Sequence, residues 1–304
     1  MTFQFEDASR DGTPLLIGLV GASGSGKTYS ALRLAKGIQS VRGGKIVGID
    51  TESKRMSHYA DRFTFRRLNF GAPFSSVRYL EALRAAVKEA EGGVVIVDSM
   101  SHEHEGEGGY LELHEAELDR MAGNDWKKRE KCTFTAWIKP AGNRRKLING
   151  LLQMNCAFIF CFRAKEKMKI IAGEQPKSIG WQAIAGEEFS FEMTVRCLLQ
   201  PSSLGIPDWS EDAFKYGVAK REVAHIPFLP DGKQIDEEVG VKLANWARGS
   251  DPELDALKTA GKNAASKGID ALTAWKASLT APQKLKLGKD FGEELTKIAS
   301  EVKS

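Results

Sequence analysis

Gly21-Ala22-Ser23-Gly24-Ser25-Gly26-Lys27-Thr28 carries the spacing G-x-x-x-x-G-K-[ST], the pattern of a loop that wraps a phosphate chain. Its glycines reach backbone conformations closed to residues with a side chain, so N–H groups can close around an anion. A helix starting at the end of such a loop adds the positive end of its dipole. In this arrangement Lys27 meets the β- and γ-phosphates of a nucleoside triphosphate, and the Thr28 hydroxyl holds Mg²⁺. The residues expected at the nucleotide are Gly21, Ser23, Gly24, Ser25, Gly26, Lys27, Thr28 and Tyr29.

Hydrolysis needs more than a phosphate cradle. Asp98 closes the apolar run Val94-Val95-Ile96-Val97 and stands where a Walker-B acid would join Thr28 in holding Mg²⁺. A carboxylate must also orient the attacking water, and the residues offer Glu52 or the pair Glu103 and Glu105. Ser99 fills the position directly after Asp98. Arg163 ends another apolar run, Ala157–Phe162, and could sense the γ-phosphate. Lys165 and Lys167 follow it and could act in trans on the phosphates of a neighbouring subunit. His102-Glu103-His104 lacks the H-E-x-x-H spacing that sets two imidazoles on one helical face, so a polar loop is expected there and not a zinc site.

A second constellation is basic and aromatic. Trp126, Phe134 and Trp137 are interleaved with Lys127, Lys128, Arg129, Lys131 and Lys139. Cations that follow phosphates, beside rings on which bases stack, compose a single-strand binding surface. The competing reading makes the tryptophans helix–core contacts and the charges a solvated face.

Strands and helices must place these groups. Leu15–Val20 reads as a buried strand leading into the loop, and Leu32, Leu34 and Ile38 give the following segment helical spacing. Lys45–Asp50 and Val94–Asp98 read as further buried strands, and Phe63–Phe70 as a looser one. Ser75–Ala90 reads as a helix with Val77, Leu80, Leu83 and Val87 on its inner face. A long polar excursion from Ser99 to about Gly142 holds a helix near Tyr110–Met121, and Arg145–Met154 is a short helix. Lys167–Ala172 and Phe189–Gln200 read as antiparallel strands, and Val239–Arg248 as a closing helix. Strands that are apolar on both faces and alternate with helices indicate an α/β fold, a mostly parallel sheet with helices on both faces. Gly249-Ser250-Asp251-Pro252 has linker composition, which divides the chain into a domain over residues 1–248 and a helical tail over 253–304 with little core of its own.

Composition agrees with such a chain. Its 304 residues are 42% hydrophobic and 28% charged, ample for a large core. The sequence holds no stretch near the roughly 20 apolar residues of a membrane span. Residues 1–13 are polar and acidic, unlike a signal or transit peptide. Cys132, Cys156, Cys161 and Cys197 form no C-x-x-C pair, which fits reduced thiols in a cytoplasmic setting. The net charge of +4 is uneven: Ser101–Arg120 has seven acids to one arginine, and Trp126–Lys146 eight cations to one glutamate. That asymmetry hints at a polyanion partner.

With these residues in place, the chain resembles RecA-like phosphate-loop ATPases of phage type, nucleotide-binding proteins often described by an AAA domain and related to phage recombination and single-strand annealing ATPases. The likeness runs through Gly21–Thr28, Ile49–Glu52, Val97–Glu103, Ala136–Pro140, Phe162–Lys167, Phe189–Thr194 and Ala219–Arg221, and covers about residues 13–248. Gly268–Leu279 resembles a small helical tail of phage recombination proteins. The resemblance implies a RecA-like core with ATP and Mg²⁺ as cofactors. It places the catalytic glutamate at the end of the strand neighbouring the phosphate loop, which is Glu52, with Lys27, Asp98 and Arg163 completing the catalytic set. It further implies an ATPase that binds single-stranded DNA in recombination or annealing, a homo-oligomer, and a cytoplasmic location, the host cytoplasm for a phage protein. The alternative is a nucleotide-switched assembly or loading ATPase that grips a protein partner through the C-terminal helices. The tail and the basic segment argue against a small-molecule kinase.

Overall fold

Seven apolar residues in a row, Leu15–Gly21, form strand β1 with every side chain buried, as a strand covered on both faces requires. The computed structural model describes residues 14–169, 177–249 and 252–301. The expectations for residues 1–13, for residues 170–172 and for residues 250 and 251 lie outside the described residues. After β1 come α1 (Lys27–Arg42), β2 (Ile46–Asp50), β3 (Arg66–Asn69), α2 (Ser76–Ala90) and β4 (Val94–Asp98). Strand β5 (Ala157–Lys169) runs between β4 and β1, and β7 (Val195–Leu199) lies on the other side of β1. The order is β3-β2-β4-β5-β1-β7, with every neighbouring pair parallel. Strand β6 (Lys177–Ala183) pairs antiparallel with the extension of β5. The expected α/β class with a mostly parallel sheet is present.

The sheet is covered on both faces. One face holds Leu16, Val20, Val47, Val95, Val97, Phe158 and Phe160 beneath α2 and the later helix α6 (Ile138–Leu152). The other receives α1, whose Ala31, Leu32, Leu34, Ala35 and Ile38 are buried. Helix α1 is crossed by α9 (Glu237–Ala247) at Gly37 and Gly240, where backbone fills the space a Cβ would need. Any larger residue at either position would force the two helices apart.

Several expectations are corrected. The inner face of α2 is Tyr79, Ala82, Leu83, Ala86 and Ala90, while Val77 is 43% exposed. Leu80 and Val87 only flank that stripe. The apolar count favoured the larger side chains, whereas the tight seat against the sheet takes three alanines beside Tyr79 and Leu83. The polar excursion is mostly helical: α3 (Ser101–Glu105), α4 (Tyr110–Ala122), α5 (Trp126–Ala136) and α6 follow in close succession. Its charged surface masks the 3.6-residue period because only a narrow stripe is buried. The helix expected at Arg145–Met154 is the second half of α6. Lys167–Lys169 continue β5, and Phe189 sits in α7 (Glu187–Glu192), leaving β7 to pair parallel with β1. The looser third strand is only Arg66–Asn69. No helix among the described residues is long and apolar enough to cross a membrane.

The chain divides into two compact units, Gly12–Ala244 and a second that holds Asn245–Ser304, so the division falls within α9. The first unit also holds α8 (Glu211–Lys215). The second contains α10 (Pro252–Ala265), α11 (Ile269–Ser278), α12 (Ala281–Leu287) and α13 (Lys289–Glu301). It does have a small core: Ala265, Leu272, Leu295 and Ala299 are buried, with Trp275, Phe291 and Ile298 packed around them.

Candidate functional site

Parallel pairing brings the carboxyl ends of the central strands level. Gly21 is in register with Arg163, Cys161 with Asp98, and Asp98 with Asp50. Side chains leaving β1, β5, β4 and β2 therefore meet at one edge of the sheet, the place where open α/β sheets present ligand contacts. A cavity of about 720 Å³ opens there. It is lined by Ser23, Gly24, Gly26, Lys27, Thr28, Glu52, Asp98, Glu105 and Arg163, all of which the sequence reading named. Gly21, Ser25 and Tyr29 do not line it. Ser25 is buried beneath the loop, and Tyr29 packs against Tyr59 and Phe63 with ring centroids 5.8 and 5.5 Å away.

The Gly21–Thr28 loop turns through left-handed backbone at Gly24 (φ 78°) and Gly26 (φ 87°), conformations that impose a steric penalty on any side chain. Gly26 starts α1 with no side-chain cap, and no acid occupies the first turn. The sixteen-residue helix thus presents uncompensated N–H groups and its positive dipole end to the cavity. Lys27 folds back into the loop, donating to the carbonyls of Gly21 and Ala22 at 2.8 Å each. Burial lowers the Lys27 pKa from the ordinary lysine value, and the carboxylates Asp98 and Glu52 pull it back up. A buried ammonium whose hydrogen-bond partners are neutral carbonyls, beside an uncapped helix end, fits an anionic ligand.

Thr28 opens α1 after β1 and Asp98 ends β4, on the far side of β5, yet the Thr28 hydroxyl donates to Asp98 Oδ2 at 2.5 Å. Burial raises the Asp98 pKa, and the Thr28 hydroxyl opposes that shift by favouring the charged form. A hydroxyl and a carboxylate held together this way are hard oxygen donors of the kind Mg²⁺ takes.

Glu52 is positioned by its neighbour. Asp50, fully buried, accepts from the N–H groups of Glu52 and Met56, so the chain turns sharply after β2 and aims Glu52 into the cavity. There Glu52 Oε1 accepts from Arg163 Nε and Nη2 at 2.9 and 2.8 Å, and Oε2 from Arg55 Nη1 at 2.8 Å. The Arg163 N–H is itself fixed by Ser101 Oγ at 2.8 Å. Arg55, His58 and Tyr59, from the 3-10 turn Arg55–Tyr59, also line the cavity and were missed by sequence reading. A short irregular turn leaves no periodic signal, although a cation three residues after Glu52 was visible.

Behind the cavity, His102 Nδ1 lies 2.8 Å from Thr51 Oγ1. That hydroxyl already donates to the Ser99 carbonyl and accepts from its N–H, which makes the imidazole the donor. The side chains of His102, Glu103 and His104 diverge. Glu103 and Arg144, each with side chains 3% exposed, form an ion pair at 2.9 Å, and Ser76 donates to Glu103 at 2.6 Å. Arg144 also donates to His104 Nδ1 at 3.0 Å and lies 3.3 Å from the centroid of the Tyr110 ring. Glu103 is therefore removed from the cavity by its own partner, and of the two later glutamates Glu105 alone lines it.

Lys165 and Lys167 stand exposed on the β5–β6 hairpin. Lys127, Lys128 and Lys131 are exposed on α5, while Arg129 is ion-paired with Glu115 and Asp119. Trp137 is stacked on His114 at 3.7 Å and on Tyr110 at 5.1 Å. Of the sequence-predicted basic set, Arg129 and Trp137 thus have internal partners and the three lysines face solvent. No family model matches this chain, and no curated protein is significantly similar to it.

Proposed function

We propose that this chain is a Mg²⁺-dependent ATPase with a RecA-like core that acts on single-stranded DNA in recombination or annealing. The observation that carries the ATPase reading is the convergence in one cavity of Lys27, the linked pair Thr28 and Asp98, and the Glu52–Arg163 pair, drawn from four different strand ends. ATP is bound by the Gly21–Thr28 loop, with Lys27 and the start of α1 offsetting phosphate charge. Thr28 and Asp98 hold Mg²⁺, which when bound neutralises charge on the phosphates. Glu52 orients water and accepts its proton at a carboxylate oxygen. Arg163 holds Glu52 in place and adds positive charge at the same wall. Lys165 and Lys167, exposed on the extension of β5 that pairs with β6, suit contact with nucleotide on a neighbouring copy in a homo-oligomer. The exposed lysines of α5 support a polyanion partner. Release of inorganic phosphate from ATP by the wild type and by Glu52→Gln tests the reading; equal rates would remove Glu52 from the catalytic set.

A second reading, a loading ATPase that grips a protein through its C-terminal helices, is favoured by one feature. A groove of about 340 Å³ in the second unit is lined by Trp275, Leu279, Leu287, Phe291 and Leu295. Deletion of residues 252–304 tests it: loss of partner-stimulated turnover with intact DNA binding would support that reading over the first.

A further inference from the structure

We propose that the outer face of α5 and α6 is a track for single-stranded nucleic acid in which Phe134 is the stacking platform and Lys127, Lys131 and Arg145 contact phosphates. This rests on the single-strand reading above and replaces Trp137 and Arg129 as its contacts. Lys127, Lys131, Phe134, Ile138, Arg145 and Asn149 recur at close to whole helical turns. At 3.6 residues per turn they fall within about 60° of arc. Trp137, the residue between the helices, keeps helical backbone (φ −73°, ψ −16°), so the phase carries across the junction. All six are exposed, Phe134 at 87% and Ile138 at 70%. The core side of the same helices is elsewhere, at Ala136, Pro140, Leu147, Ile148 and Leu151.

Charge decides the partner. No ion pair engages Lys127, Lys128, Lys131, Arg145 or Lys146 among the described residues, and the one acid on α5 is Glu130. The neighbouring Arg129 and Lys139, by contrast, are held by Glu115, Asp119 and Glu117. Unpaired cations on both sides of an exposed ring match a strand with phosphates to neutralise and unstacked bases to cover the ring. A duplex keeps its bases stacked and offers no such face. A membrane-lying helix separates its cations from its apolar side, whereas here both share one stripe. Trp137 has its ring covered by His114 and Tyr110, so it is a packing residue.

The test is anisotropy titration of a fluorescein-labelled twenty-nucleotide oligo-dT at several salt concentrations, with and without a non-hydrolysable ATP analogue. A duplex of equal length and phosphatidylserine vesicles serve as competing targets. Phe134→Ala should weaken oligo-dT binding roughly 5- to 150-fold, the loss expected from one stacked base, without changing duplex binding. Lys127→Ala/Lys131→Ala/Arg145→Ala should lower the slope of log affinity against log salt by about 2, near 0.7 for each lost single-strand contact. Trp137→Ala should lower Tm and leave the slope alone. Melting curves keep the result readable: Phe134→Ala, at so exposed a site, should melt as the wild type does. If the wild type binds oligo-dT and the Phe134 and triple variants bind equally well, the track is wrong and the strand lies elsewhere. If the variants lose vesicle binding and keep oligo-dT binding, the face is a membrane contact and the proposal falls. If the wild type does not bind oligo-dT in any nucleotide state, the single-strand reading itself fails, and the track with it.

Discussion

Arg163 and Glu52, 111 residues apart in the chain, are joined by two hydrogen bonds of 2.9 and 2.8 Å at the wall of the cavity that also holds Lys27, Thr28 and Asp98. Glu52 is 12% exposed and Arg163 41%, so the carboxylate is largely shielded while the guanidinium that holds it reaches solvent. For a base that must receive a proton from water, such a partner fixes direction. Glu52→Gln should therefore cut kcat by about 10²–10⁴ with little change in KM, because the amide keeps the shape and cannot accept the proton. Arg163→Ala should also lower kcat, and Arg163→Lys should rescue it only weakly, since an ammonium cannot make the paired contact to one carboxylate oxygen. Steady-state phosphate release with an ATP titration separates the two parameters.

Thr28→Ala removes the hydroxyl that reaches Asp98 Oδ2. The expected outcome is a higher Mg²⁺ concentration for half-maximal turnover, with the fold unchanged. A Mg²⁺ titration of turnover beside a thermal melt checks both halves, and an unaltered Mg²⁺ requirement would take Thr28 out of the metal set.

The Glu103–Arg144 pair is almost fully buried and makes a stability prediction independent of any ligand. Arg144→Met strands the Glu103 charge and should cost about 3–5 kcal/mol, while the double variant Glu103→Gln/Arg144→Met should recover most of it. Urea unfolding of the wild type, Arg144→Met, Glu103→Gln and the double variant forms the cycle. Equal stability of wild type and Arg144→Met would show that the pair contributes nothing net.

Burial lowers the pKa values of His102, His104 and His225 from the ordinary histidine value; Arg163 adds to the effect at His102 and Arg144 at His104. Each folded-state pKa lies below that of the unfolded chain, so on acidification the unfolded state takes up protons first. Stability should be level above about pH 7 and fall as pH drops below the ordinary histidine value near 6.5. Melting curves from about pH 8 to about pH 5 read this directly. His104→Gln should flatten part of the fall, and a Tm that rises on acidification would reverse the assigned direction.

What could be read from the chain depended on range. The Gly21–Thr28 loop is contiguous and its neighbours announce a strand and a helix, so the residues alone suffice. Asp98 was legible because a wholly apolar strand ends on it. Ion pairs such as Glu103–Arg144 and Glu52–Arg163 leave no local period, since only the strand order brings their elements together. In α2 the largest apolar residues misled: Val77 faces solvent and Ala82 and Ala86 face the sheet, where close packing rewards small side chains. Trp137 could be read as a stacking ring or as a packing residue, because sequence cannot display the His114 and Tyr110 rings that cover it.

Calorimetric titration of ATP with Mg²⁺ into the wild type and into Lys27→Ala bears most directly on whether the Gly21–Thr28 loop is a nucleotide site. Lys27 brings the one ammonium that the loop's own carbonyls hold within it. The wild type should bind one ATP per chain, and Lys27→Ala should bind it at least about tenfold more weakly, the loss of a single strong charge-assisted contact. No binding by the wild type, or equal affinity in the two proteins, would contradict the assignment.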